Sequence, residues 1–123
     1  MKDTKPDVWV GHVFMKSRDI SETSDFLIKI GMRKLFGSSE LGIFELRGGT
    51  HLAVEMGDPE LKDGETYFDL MVEDLDQTRE KLINLDLDPS DIIVGEIHRT
   101  FMIDEPGGNR VRFNDSHVSK GPV

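Results

Sequence analysis

The stretch DISETSDFLIKIGM, residues 19–32, returns 55 positions later as DLDQTREKLINLDL, residues 74–87. Asp19/Asp74, Thr23/Thr78, Leu27/Leu82 and Ile28/Ile83 are identical in the two copies. Ile20/Leu75, Glu22/Gln77, Asp25/Glu80, Ile30/Leu85 and Met32/Leu87 keep their chemical character. In both copies positions 20/75, 23/78, 27/82 and 30/85 recur at i, i+3, i+7 and i+10, which is one face of an amphipathic helix used twice. Asp19 and Asp74 stand where N-caps belong. A repeat of this length inside a short chain decides the architecture before any other feature is weighed.

The pattern extends on both sides of each helix. An apolar strand candidate precedes it, VWVGHVFM (8–15) in the first copy and TYFDLMV (66–72) in the second, and the same offset sets His12 over Tyr67. Three short extended segments follow each helix: MRKLF, LGIFEL and THLAVEM, then DIIVGE, RTFMI and NRVRF. They are separated by turn-forming runs such as Gly37-Ser38-Ser39, Gly48-Gly49 and Glu105-Pro106-Gly107-Gly108-Asn109. The order strand, helix, strand, strand, strand, stated twice, predicts an α+β fold of two tandem βαβββ modules with helices on one side of curved sheets. Module 1 covers about residues 8–56, a linker 57–65, module 2 about 66–115, and a tail 116–123. Halves of about 60 residues bury too little surface to stand alone, so residues 1–123 are expected to form one domain.

The composition narrows the function classes. A net charge of -9 disfavours nucleic-acid partners, whose phosphates need clustered Lys and Arg. No apolar run approaches the roughly 20 residues of a membrane-spanning helix, and MKDTKPD lacks the apolar stretch of a secretory signal, so a cytoplasmic location and no membrane partner are expected. With no Cys, thiolate metal sites and cysteine nucleophiles are excluded, and any metal must be held by His, Asp, Glu or Tyr. No phosphate-binding glycine loop, Gly-x-Ser-x-Gly elbow or His-Glu-x-x-His occurs.

GHVFMKSRDISETSDFLIKIGMRKLF resembles the opening of glyoxalase I and its relatives, and FMIDEPGGNRVRF is similar to the hairpin that closes their second module. On these ordered signals, spanning about residues 8–115, the chain resembles the vicinal-oxygen-chelate superfamily of glyoxalases, bleomycin-resistance proteins and extradiol dioxygenases. The resemblance implies a cup-shaped cleft, a homodimer with clefts shared between subunits, and often a divalent metal held by His and Glu from the first and last strands of each module. It transfers no reaction, since lyases, dioxygenases and metal-free drug binders share the architecture.

Carried over residue by residue, the resemblance sets His12 on the first ligand position, with Phe14 on the same strand face. The second position falls at Ala53 or, two residues on, at Glu55, and His51 shares that face. His51 and Glu55 are therefore both candidate cleft and catalytic residues, but about 13 Å of strand separates them, so at most one joins His12 on an ion. The third position aligns with Tyr67 and the fourth with Arg112, where relatives usually carry His and Glu. A guanidinium never ligates, and one about 4 Å from a dication would be repelled by roughly 8 kcal/mol at an effective dielectric near 20.

Two readings stay open. In the first, His12, Phe14, Tyr67 and Arg112, with Arg110 nearby and Met71 among the apolar walls, bind an oxygen-rich or anionic small ligand without a metal. In the second, a divalent ion on His12 with Glu55 or His51 and waters, or with Tyr67 of a second copy, polarises vicinal oxygens for a glyoxalase-like lyase or isomerase or an extradiol-type dioxygenase, with Glu55 or His51 as base. His98, just before RTFMI, and His117, in the tail, are not assigned a role by the sequence.

Overall fold

The computed structural model describes residues 4–115 and 121–123. Its first module runs β1 (His12–Ser17), α1 (Ile20–Lys29), β2 (Arg33–Gly37), β3 (Leu41–Glu45) and β4 (His51–Met56). The second runs β5 (Leu70–Met71), α2 (Leu75–Asn84), β6 (Ile93–Val94), β7 (Arg99–Asp104) and β8 (Arg110–Asn114). Each module forms a four-stranded mixed sheet, ordered β1-β4-β3-β2 and β5-β8-β7-β6. The expected α+β fold of two βαβββ modules is the one observed.

The repeat is visible in the helix ends. The Asp19 carboxylate accepts the Glu22 backbone N–H at 3.0 Å, and Asp74 accepts that of Gln77 at 2.9 Å. Both helices close alike: the N–H of Met32 donates to Leu27 O and that of Leu87 to Leu82 O, each at 3.0 Å. This closure requires a left-handed residue, supplied by Gly31 in one copy and by Asp86, at φ 63°, in the other.

Strand alternation sorts the side chains into two layers. Met15, Leu52, Val54 and Phe44 from the first sheet, and Phe101, Ile103, Val111 and Phe113 from the second, join Ile20, Phe26, Leu27, Leu75 and Leu82 of the helices in one buried core. The opposite faces carry His12, Phe14, Lys16, His51 and Glu55 on one sheet and Met102, Arg110 and Arg112 on the other.

Three strands depart from the sequence expectation, and one of them is DIIVGE, which keeps only Ile93–Val94 as strand. The first begins at His12, four residues later than VWVGHVFM suggests. The strand expected over TYFDLMV shrinks to Leu70–Met71, because Glu65 bridges Arg110 whereas Leu70 pairs with Phe113. Five residue steps on one chain face three on the other, so two extra residues bulge out between Glu65 and Leu70. Glu65, expected in the linker, is thus the first sheet contact of the second module.

The modules are joined by a buried carboxylate. Glu105 is 3% exposed, and its oxygens accept the Thr23 hydroxyl (2.6 Å), the Gly107 N–H (2.9 Å), and the Asn109 N–H (3.0 Å) and side-chain amide (2.7 Å). Since Thr23 spends its proton on Glu105, Ser17 donates to Thr23 at 2.7 Å and accepts the Asp19 N–H at 2.9 Å. Asn109 also donates to the Lys16 carbonyl at 2.6 Å, and the Arg18 N–H to that of Gly107 at 3.0 Å. A Cβ at Gly107 would run into the Ser17 and Thr23 hydroxyls, so only glycine allows this approach. The turn between β7 and β8 is thereby locked to the junction of β1 and α1.

Replacing Glu105 by Ala strands the Thr23, Gly107 and Asn109 donors in the interior. Glu105→Ala is expected to lower the unfolding free energy by about 3 kcal/mol. Urea denaturation checks this: a loss below about 1 kcal/mol would mean that the carboxylate is not what holds the modules together.

Candidate functional site

The locked turn brings β1 and the bulge at 66–69 side by side; two cavities open along that seam, and a third adjoins them on the open face of the second sheet. The first, about 460 Å³, lies between Val10, Val13 and Leu46 on one side and Tyr67, Phe68 and Arg112 on the other. The second, about 210 Å³, is bounded by Phe14, Lys16 and Glu55 of the first module and by Tyr67 and Asn109 of the second. The third, about 340 Å³, lies over Met102, Arg110 and Arg112. Glu65 borders all three.

Arg112 reaches this seam because β8 alternates Val111 and Phe113 into the core and Arg110 and Arg112 to the open face. Its Nε and Nη2 both donate to Glu65 Oε1, at 3.1 and 2.9 Å. Arg110 donates from Nε to Asp104 at 3.0 Å. That hydrogen bond raises the pKa of Arg110, with further electrostatic support from Asp104 and then from Asp63 and Glu65. On the opposite wall Lys16 contacts Glu60 at 2.6 Å, and its pKa is raised first by that bond and, more distantly, by Glu55.

The candidate residues divide into two groups. Phe14, Glu55, Tyr67 and Arg112 border the seam cavities. Tyr67 does so from the bulge, where it is 74% exposed. His12 and His51 instead stand together farther along the open face of the first sheet. They are register partners on β1 and β4, with ring centroids 5.3 Å apart, and His51 Nε2 lies 3.4 Å from Glu45 Oε2. Glu45 pairs in register with His51 and binds Arg33 Nη1 at 2.8 Å, so a row Arg33, Glu45, His51, His12 crosses the sheet. Glu55 pairs with Lys16, about 13 Å along the strand from His51. Of the two alternatives for a partner of His12, His51 is the neighbour, and a shared ion on His12 and Glu55 does not fit the register.

The donor set does not compose the four-ligand centre that the resemblance implies. His12 and His51 supply two nitrogens on one sheet, while the corresponding positions of the second module carry an outlying phenol and a guanidinium committed to Glu65. Among the described residues no group of three or more His, Asp or Glu side chains is arranged to hold a metal ion. His98 donates from Nδ1 to Asp115 at 3.1 Å and fastens the end of β8 to the start of β7. His117 lies outside the described residues.

Glu65 is the site residue that sequence reading misses. Its signal was parity: it lies two residues before Tyr67, on the same alternation, and extending the strand upstream would have included it.

No family model matches the chain, and no curated protein matches it by sequence. Solved structures do match. A lactoylglutathione lyase from Agrobacterium tumefaciens superposes with a TM-score of 0.74 at 15% identity, covering 91% of this chain and 96% of that one. A glyoxalase/bleomycin resistance protein/dioxygenase superfamily member from Sphaerobacter thermophilus gives 0.73 at 17%, covering 89% and 98%. A bleomycin-binding protein from Streptomyces verticillus, complexed with copper(II)-bleomycin, gives 0.71 at 18%, covering 92% and 100%. With identities this low it is the architecture that is shared: the chain is built on the glyoxalase/bleomycin-resistance/dioxygenase fold.

Proposed function

We propose that this protein binds an oxygen-rich or anionic small molecule in the cleft where its two modules meet, with Arg112 as the anchor. The observation that carries this reading is the Arg112 guanidinium on the wall of a 460 Å³ cavity that also has apolar walls at Val10, Val13 and Phe68. A few polar groups among apolar side chains orient a ligand, and a guanidinium fork suits a carboxylate or another pair of anionic oxygens. Tyr67 adds an exposed ring and hydroxyl, and Phe14 an apolar surface in the adjoining cavity. The net charge of -9 draws cations to the molecule as a whole, so anion preference at the cleft rests on local geometry.

A second reading, metal-dependent lyase or dioxygenase chemistry, is favoured by one observation, the adjacency of His12 and His51. On that reading the ion sits on this pair with waters, and Glu55 acts as base from the neighbouring wall. His51 is less suited to that role, because its Nε2–H faces Glu45 and it stands beside the ion.

The reading also includes a homodimer. Val8, Trp9 and Met71 line a groove of about 560 Å³ at the far end of the seam, and Trp9 is 69% exposed. This is the counterpart, in the repeat, of the junction that Glu105 fills, and apolar surface of this kind on one chain is suited to cover by a second copy.

Three outcomes follow. Sedimentation at micromolar concentration should show a dimer, and a lone 13.9 kDa species would contradict it. Calorimetry should find weak or no divalent-metal binding by the wild type; tight stoichiometric binding lost in His12→Ala would favour the second reading. Arg112→Glu sets a new carboxylate beside Glu65, and it should raise divalent affinity while weakening anionic ligands by about 2 kcal/mol. A variant indistinguishable from wild type in both titrations would remove Arg112 from the site.

A further inference from the structure

Glu65 holds Arg112 in a way that leaves the pair open to exchange. Both donating nitrogens of Arg112 converge on a single oxygen, Oε1, and Oε2 has no hydrogen-bond partner among the described residues. A carboxylate facing the fork squarely makes two parallel bonds, one per oxygen, and is the stronger partner. The two side chains are each 41% exposed, so their pairing is of the weak, solvent-screened kind.

The backbone beneath Glu65, by contrast, is fixed. Gly64 has φ +74°, and a Cβ there would come within 2.6 Å of the Gly108 carbonyl oxygen, so the turn at 62–64 rests directly on the turn between β7 and β8. The Thr66 N–H donates to the Arg110 carbonyl at 3.2 Å. A side chain rooted so firmly, bordering all three cavities, has few places to go, and a second cation is among them. Arg110 lies two residues before Arg112 on the same face of β8, close enough for Glu65 to raise its pKa, although Asp104 holds it now.

Resting on the proposed role of Arg112, we propose that Glu65 is an exchangeable counter-ion that sets the ligand class of this cleft. An organic carboxylate takes over the Arg112 fork through both its oxygens, and the Glu65 carboxylate turns toward Arg110. Glu65 thereby selects for anions with two oxygens in one plane. A monatomic anion gains no more from the fork than Glu65 Oε1 already does, and does not displace it.

Benzoate serves as the planar carboxylate probe and chloride as the monatomic one, titrated by calorimetry at constant ionic strength. Wild type, Glu65→Gln, Arg112→Gln and Asp88→Asn are compared; Asp88, which lines none of these cavities, controls for the loss of one negative charge. The expected result is that Glu65→Gln binds benzoate about fivefold more tightly than wild type or Asp88→Asn, the factor set by losing a half-exposed ion pair as competitor. Chloride should not compete with benzoate in wild type and should begin to do so in Glu65→Gln. If Arg112→Gln abolishes binding but Glu65→Gln binds no better than Asp88→Asn, the exchange is wrong and the Arg112 site survives. If benzoate binds Arg112→Gln as well as wild type, or binds none of the four proteins, the underlying site is wrong as well.

Discussion

A carboxylate taken out of water must have its oxygens satisfied, and Glu105 meets that requirement across the boundary between the two modules. Its partners come from its own turn, through Gly107 and Asn109, and from the first helix, through Thr23. Because Ser17 and Asp19 continue the same chain of hydrogen bonds, the end of β1, the cap of α1 and the turn between β7 and β8 share one geometry. That geometry sets β1 beside the bulge, and the first two cavities lie between those segments. The shape of the seam is in this sense inherited from a buried polar network, whose Asn109 also borders the second cavity.

The repeat makes the asymmetries informative. In the corresponding place of the other module, the turn between β3 and β4 meets the start of α2 through Arg47 and Glu73, an exposed pair at 2.9 Å in place of a buried network. That end of the seam is left with an apolar groove around Trp9 and Met71. A second asymmetry lies in the opening strands. β1 pairs with β4 in an unbroken register over six residues, whereas two residues bulge out ahead of β5. The bulge carries Tyr67 away from the position equivalent to His12 and brings Glu65 to Arg112. One module thus presents two histidines on a regular sheet, and the other an ion pair at an irregular edge.

Much of this was legible in the sequence. The helix repeat predicted both α-helices, their Asp caps and the 55-residue offset, because helix periodicity and capping are local properties. The α+β architecture follows from the order of segments; strand parity groups His12 with Phe14 and His51 with Glu55, while Arg112 is placed only by the family resemblance. What escaped were relations between distant segments. The shortening of TYFDLMV to two paired residues depends on how Glu65 and Leu70 register against β8, and no local pattern reports that. The sequence marks Glu105 as part of a turn, and its service as the joint between modules depends on Ser17 and Thr23, more than eighty residues away in sequence. The partner of Arg112 leaves only a local trace in the sequence, the parity of Glu65 with Tyr67, and that trace does not report the pairing with β8.

The charge arrangement along the seam follows from these contacts. Lys16 is matched by Glu60, Arg110 by Asp104 and Arg112 by Glu65, so a bound ligand must compete for whichever cation it uses. Arg112 is the cation whose partner borders all three cavities. The most direct test is backbone-amide NMR of the labelled protein during titration with a small aromatic carboxylate. The account predicts that the largest shifts fall on Glu65, Thr66, Tyr67 and Arg112. Shifts concentrated at His12 and His51, or spread evenly over the surface, would contradict it.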